Sequence, residues 1–290
     1  MFDNIFAAIE KWMRELLTGM VESNMSTMFT DVNEKTSEIA AQVGRTPQNW
    51  NSSVFSMIQN LSESVVVPIA GIIITLVLCY ELISMLTERN NLHDVDTWMF
   101  FKYFVKAWVA IYLVSNTFTI TMAVFDVGQS VVNSASGIIN GETAIDVSSL
   151  SMQMQAAMAT MEIGELVVLA LETFLVSFCM KIMSVVITVI VYGRMIEIYL
   201  YTSLAPIPFA TMSNREWGHV GTNYFRGLLA LAFQAFLMMV CVAIYAALIS
   251  SVRISSNMHS ALIGVAAYTV ILCFSLMKTG SLSKQIFGSH

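Results

Sequence analysis

Long stretches almost free of charged side chains constrain this chain more than any other feature in it. Hydrocarbon holds no water to satisfy peptide N–H and C=O groups, so an apolar run of about 20 residues that enters a bilayer must be helical. Such runs extend from Val65 to Leu86, Ala107 to Phe125, about Leu166 to Tyr192, Gly227 to Val252 and Ile254 to Met277. Composition agrees: 56% of the 290 residues are hydrophobic and only 12% charged, about half the roughly 25% of soluble domains. Mean hydropathy is +0.69. The expected fold class is all-α, a polytopic integral membrane helical protein with about five transmembrane helices plus amphipathic or re-entrant helices.

Trp98, Lys102, Lys106 and Trp108 stand at the start of the second run, the residue types that anchor a helix at headgroups. At ~1.5 Å per residue the third run exceeds a ~30 Å hydrocarbon layer and must tilt or protrude. Met195 to Met212 is apolar enough to follow it into the membrane, but Pro206 and Pro208 cannot both sit in an unbroken helix. The expectation is a break at Ala205-Pro206-Ile207-Pro208 and a segment lying along or partly within the membrane. Ser255-Ser256-Asn257 with His259 supplies a tight turn between the last two runs.

Lys and Arg close to span ends set orientation. With five spans, one side receives Arg89, Lys102, Lys106, Arg194, Arg215, Arg226, Lys278 and Lys284, and the other Arg253 with Arg45 marginal. That asymmetry puts the N-terminus outside and the C-terminus in the cytoplasm of a multi-pass cell-membrane protein. A sixth span through Met195 to Met212 would move Arg215, Arg226, Lys278 and Lys284 outside.

The expected organisation is extracytoplasmic amphipathic helices (1–64), two transmembrane helices (65–125), an extracytoplasmic central loop (126–162), a long third span with its Pro-broken segment (163–212), a basic cytoplasmic loop (213–226), a transmembrane hairpin (227–277) and a cytoplasmic tail (278–290). Residues 1 to 20 place Phe2, Ile5, Phe6, Ile9, Met13, Leu16, Leu17 and Met20 on one face. That helix carries no basic start before an apolar stretch, unlike a signal peptide. Its face can pack on neighbouring subunits or lie on the outer leaflet. Val21 to Val43 reads as a second helix ending at Gly44, with Pro47 starting the next element. In the central loop, the second helix continues outward to a turn at Asn140-Gly141. Asp146 to Ser149 then cap a helix from about Leu150. Its Met154, Met158 and Met161 share a face, which fits copper(I) or, better, flexible apolar filler.

Three ionisable groups fall inside spans, where each costs about 2.5 to 3.5 kcal/mol at the centre. Glu81 can reach the cytoplasmic interface. Glu172 and Lys181 are on opposite faces of one helix and each needs another helix, another subunit or water. A lined passage, a pair between subunits and a structural contact within one bundle all answer that need. Arg194 and Glu197, three residues apart, are expected to pair at the cytoplasmic boundary. Ala243, Ala247 and Ser251 form a small face suited to close helix contact.

The net charge of −6 excludes the basic footprint of a nucleic-acid-binding surface. Cys79, Cys179, Cys241 and Cys273 lie scattered in apolar runs, giving neither a disulfide framework nor a zinc knuckle. No Walker A sequence, glycine-rich cradle or His-Glu-x-x-His is present, and His93, His219, His259 and His290 suggest no shared site. No enzyme activity, cofactor or metal is expected.

Arg194-Met-Ile-Glu-Ile-Tyr-Leu-Tyr-Thr-Ser-Leu-Ala-Pro-Ile-Pro-Phe209, following a long third span, resembles the corresponding segment of the TrbL-like (VirB-six-like) polytopic subunit of conjugative type IV secretion systems. The resemblance extends over about residues 60 to 280, with an N-terminal part like that of Gram-positive mobile elements. It implies a membrane channel or scaffold subunit, forming homo-oligomers in membrane lipid. It further implies that this subunit supports transfer of single-stranded DNA with its relaxase, or of protein, beside other membrane subunits and ATPases. Arg215, Trp217, His219 and Arg226 would then face the cytoplasmic ATPases. A secondary transporter of a small solute, with Glu172 and Lys181 in its path, is the alternative, although the matched repeats usual in such folds are not seen. A non-conducting scaffold is a third reading. In a chain whose four natural cysteines are replaced, Thr222→Cys should be protected from an impermeant external maleimide; labelling of intact cells would instead require six spans.

Overall fold

The computed structural model describes residues 2–87, 97–139, 147–252 and 258–289, and among these every regular element is helical. The expected turns at Asn140-Gly141 and Ser255-Ser256-Asn257, the cap at Asp146, and Arg253 lie outside the described residues. Among the described residues, five helical stretches are long and apolar enough to cross a membrane: Ser52–Thr87, Trp98–Ser115, Ile163–Leu204, Gly218–Ser250 and Met258–Phe287. The chain forms two compact units, each built from separate stretches.

The first unit comprises Met1–Val43, Ser134–Val191 and Met238–Lys278. Helix α1 (Phe2–Val43) is a single helix rather than the expected two, since the only breaker near the join is Gly19, which costs about 1 kcal/mol in a helix and does not stop it. Its second half buries Val21, Met25, Met28, Val32 and Ile39. This half is not a detached outer element. Asn24 Nδ2 donates to Thr173 Oγ1 at 3.5 Å and Lys35 Nζ to Thr188 Oγ1 at 3.3 Å, so α1 runs parallel to the apolar span beside it.

The first half of α1 leaves Ile5, Phe6, Ile9, Trp12, Leu16 and Met20 exposed. Met154 and Met158 are buried where α7 (Val147–Met158) packs on α1, the apolar-filler role. Tyr245 and Thr269 share a buried hydroxyl hydrogen bond at 2.8 Å. The small face does not make a close contact in this unit: Ala247 and Ser251 are exposed, while Val242, Tyr245, Ala246 and Ile249 form the packed face.

The second unit comprises Gly44–Asn133, Tyr192–Leu237 and Thr279–His290. Pro47 opens α2 (Pro47–Trp50) under a Thr46 cap, and Asn51 Oδ1 caps α3 (Ser52–Leu61) by accepting from Val54 N at 3.1 Å. A wide π turn, Ser62–Val66, then leads into α4 (Val67–Thr87), with Val67 N–H reaching back to Ser62 O. Pro68 lacks an N–H and its ring crowds the carbonyl four residues back, so the wider turn accommodates it.

The second apolar run is not one helix. It is divided at Asn116 between α5 (Thr97–Ser115) and α6 (Thr117–Ile139). Asn116 Nδ2 donates to Tyr112 O at 2.9 Å and Thr117 Oγ1 to Leu113 O at 2.8 Å, side-chain bonds that compete with the helix ladder. The candidate span accordingly starts nearer Trp98 than the expected Ala107.

Helix α8 (Ile163–Leu204) ends where the prolines demand, and α9 (Pro206–Thr211) begins with Pro206 in its first turn. The broken segment does not lie free. It packs against α4 and α5, burying Ala205, Phe209 and Ala210 with Ala70, Ile74, Leu78, Ala110 and Val114. Asn214 Oδ1 accepts from Glu216 N at 2.7 Å and Trp217 N at 3.0 Å, capping the start of α10 (Gly218–Ser250), and α11 (Met258–Phe287) follows.

Gly221 sets the α9–α10 approach, because a Cβ there would lie 2.4 Å from Pro208 O and 2.2 Å from Met212 Cγ. Gly221→Val should destabilise the protein by about 1–3 kcal/mol, read as a lower melting temperature in detergent. Gly193→Ala, where a Cβ meets nothing within 4 Å, should leave it unchanged or slightly raised.

Candidate functional site

Each expected intramembrane carboxylate has a specific partner from a distant part of the sequence. Glu81, on α4, is 6% exposed. Lys106 from α5 donates to its Oε1 at 2.5 Å, and beside them Tyr103 Oη donates to Leu78 O at 3.0 Å. In the other unit, Glu172 on α8 is bonded to Nδ1 of His259, at the start of α11. Lys181 has no hydrogen bond or ion pair among the described residues and is exposed. It stands in an exposed apolar stripe with Phe174, Phe178, Val185 and Val189.

Arg194 and Glu197 do not form the expected pair. Glu197 Oε1 accepts from Lys284 Nζ at 3.0 Å. Arg194 is buried, its Nη2 donating to Leu231 O at 3.4 Å while Nε is without a partner. Helical twist gives the reason: α11 returns alongside α8 and presents Lys284 to the face that Glu197 occupies, whereas Arg194 points towards α10. Pro206 is buried and Pro208 presents its carbonyl to Gly221.

The four residues expected to meet cytoplasmic partners are exposed, and they are not all loop residues. Trp217 stacks on Tyr80 with ring centroids 5.8 Å apart and planes 18° apart, and Tyr80 Oη donates to Glu216 at 2.9 Å. His219 Nδ1 lies 2.9 Å from Glu216 O, near the start of α10, and Arg226 is on that helix. Arg215 lines a recess with Tyr80, Glu81, Ser84, Met85, Asn214 and Glu216. This face therefore combines a buried carboxylate, an exposed cation and a stacked indole.

Residues 32–206 match the model of the TrbL/VirB6 plasmid conjugal transfer like protein family. The chain belongs to this family. It is thus a component of conjugal transfer, of the type IV secretion kind, associated with other components of such a system, and a multi-pass membrane protein. The match starts within α1 and ends at Pro206, earlier at both ends than the resemblance over about residues 60 to 280, and it includes most of the Arg194 to Phe209 segment. No curated protein and no solved structure matches the chain.

Three partners in this TrbL/VirB6-like chain escape a reading of the sequence. Lys106 reads as a headgroup anchor, His259 as a turn residue and Lys284 as tail charge. Each comes from a helix other than the one that carries its carboxylate, so no local spacing signals it. Lys106→Met leaves Glu81 buried without its cation, and should cost about 1–3 kcal/mol in detergent stability, whereas Lys102→Met should change it little.

Proposed function

We propose that this chain is a membrane channel or scaffold subunit of a conjugative type IV secretion machine, supporting transfer of single-stranded DNA with its relaxase, or of protein, across the cell membrane. The family match over residues 32–206 carries the reading, and the five apolar helices support it. Its N-terminus lies outside and its C-terminus in the cytoplasm, as the lysine and arginine asymmetry favours. The chain supplies no nucleotide-binding sequence, so the machine's ATPases power the transfer. The face formed by Tyr80, Arg215 and Trp217 is on the cytoplasmic side in this orientation and is the surface offered to them.

The transporter alternative requires Glu172 and Lys181 to share a path. Glu172 is instead bonded to His259, and Lys181 stands on an exposed apolar stripe. Transfer frequency from a donor lacking this gene tests the proposal. Loss of transfer, restored by the wild-type chain and not by a chain with Arg215→Ala, Trp217→Ala and Arg226→Ala together, is expected. Unchanged transfer without the gene would overturn the secretion role, and full restoration by the triple variant would overturn the ATPase-facing surface alone.

A further inference from the structure

Two features of the second unit meet at one end of α4. The first is an apolar stripe: Ile69, Ile72, Leu76, Tyr80 and Ile83 are all exposed and fall within an arc of about 80° at 100° per residue. From Ile69 to Tyr80 the stripe rises about 16 Å, roughly half of a ~30 Å hydrocarbon layer and so the depth of one leaflet. At Tyr80 its character changes. The ring stacks on Trp217 and the hydroxyl donates to Glu216, an aromatic pair with a polar edge, suited to the level where hydrocarbon gives way to headgroups.

The second feature is the recess beside that pair, lined by Tyr80, Glu81, Ser84, Asn214, Arg215 and Glu216. Asn214 is 4% exposed. Its Oδ1 is committed to the N–H groups of Glu216 and Trp217, and its Nδ2 is buried without an acceptor among the described residues. Turning the amide over would surrender the cap, so the unused donor is fixed in place. The charges around the recess balance. Lys106 answers Glu81, and the exposed Arg215 and Glu216 follow one another along the chain. A purely anionic ligand would be drawn to Arg215 and repelled by Glu216, whereas a ligand with both signs satisfies both.

The geometry points to a phospholipid site, with an acyl chain along the α4 stripe, the phosphate in the recess against Arg215 and Asn214 Nδ2, and a primary ammonium on Glu216. Phosphatidylethanolamine is the lipid class that fits. Its phosphate accepts from guanidinium and amide N–H groups, and its ammonium carries three donors for a carboxylate. A choline headgroup has no N–H to give, and a glycerol headgroup leaves the charge of Glu216 unanswered. The membrane reading of α4 underlies the inference; the role in secretion and whatever meets the exposed face do not.

The full chain, purified in detergent and offered equal amounts of phosphatidylethanolamine, phosphatidylcholine and phosphatidylglycerol with the same acyl chains, tests it by native mass spectrometry. Retained ethanolamine lipid should exceed each of the others about tenfold, the worth of one charge-assisted hydrogen bond. Arg215→Ala should remove most of that excess, and Lys11→Ala should leave it unchanged. Glu216→Lys, which turns the balanced recess basic, should transfer the preference to phosphatidylglycerol, an exchange that a merely structural role for Glu216 would not produce. Equal retention of the three lipids by the wild-type chain would overturn the inference and leave the recess to a protein partner. Where a charge variant fails to fold, Ser84→Leu, which fills the recess and keeps every charge, should lose the ethanolamine lipid; full retention there would also overturn the site. Glycerophosphoethanolamine, the same headgroup without chains, should not displace the lipid at equal concentration, and displacement would overturn the lipid assignment in favour of a soluble phosphoamine. Selective retention by a chain whose gene proves dispensable for transfer would leave the site standing and remove the secretion role alone.

Discussion

A charge taken into hydrocarbon must take a partner with it, and this constraint orders the long-range contacts of the chain. The desolvation cost of an isolated ion in a low-dielectric interior is several kcal/mol, and attraction to a well-placed counter-ion offsets much of it. Glu81 is joined to Lys106 and Glu172 to His259, while the more exposed Glu197 and Lys284 tie the far ends of α8 and α11 together. Each contact ties together helices that apolar packing alone would leave free to rotate or slide, since one Leu or Val face fits another in many registers. The charges thereby specify which faces meet.

Backbone satisfaction supplies the second ordering rule. Where prolines remove a donor, the chain either widens a turn, as at Ser62–Val66 before Pro68, or ends a helix and begins another, as at Ala205. The short α9 carries its own buried face into the space between α4 and α5, and Asn214 closes the next helix start with its side-chain oxygen. Glycine lets backbones approach where these pieces meet. Gly221 admits the Pro208 carbonyl, and Gly128 admits the backbone of Ala232. The Arg194 to Phe209 segment that carries the family resemblance is thus also the segment that ends α8 at the proline break and packs against α4 and α5.

The all-α membrane class, the five apolar helices and the proline break are legible in the sequence because each depends on local composition: an apolar run of sufficient length admits only one backbone solution. Less legible were the interruption at Asn116 and the course of α1. The first depends on Asn and Thr side chains competing for carbonyls within an apolar run. The second depends on α1 finding an apolar groove for Val21, Met25 and Val32, so a helix with a polar outer face comes to lie beside a span. Arg194 and Glu197 illustrate the limit of spacing arguments. Three residues apart on one helix, they could have met, but Lys284 and the Leu231 carbonyl compete for them from other helices.

What the sequence determined by itself was therefore the material and the periodicity: which stretches must be helical, where they must break, and which charges need company. The tertiary structure alone decided the company. Nine positions from Lys181 but on the opposite face of the helix, Glu172 needs a partner from elsewhere, and only the packing of α8 against α11 brings His259 to it. Spacing along a helix is fixed by its 3.6-residue turn, whereas contacts between helices depend on how whole side-chain surfaces fit, and no local run of residues encodes that fit.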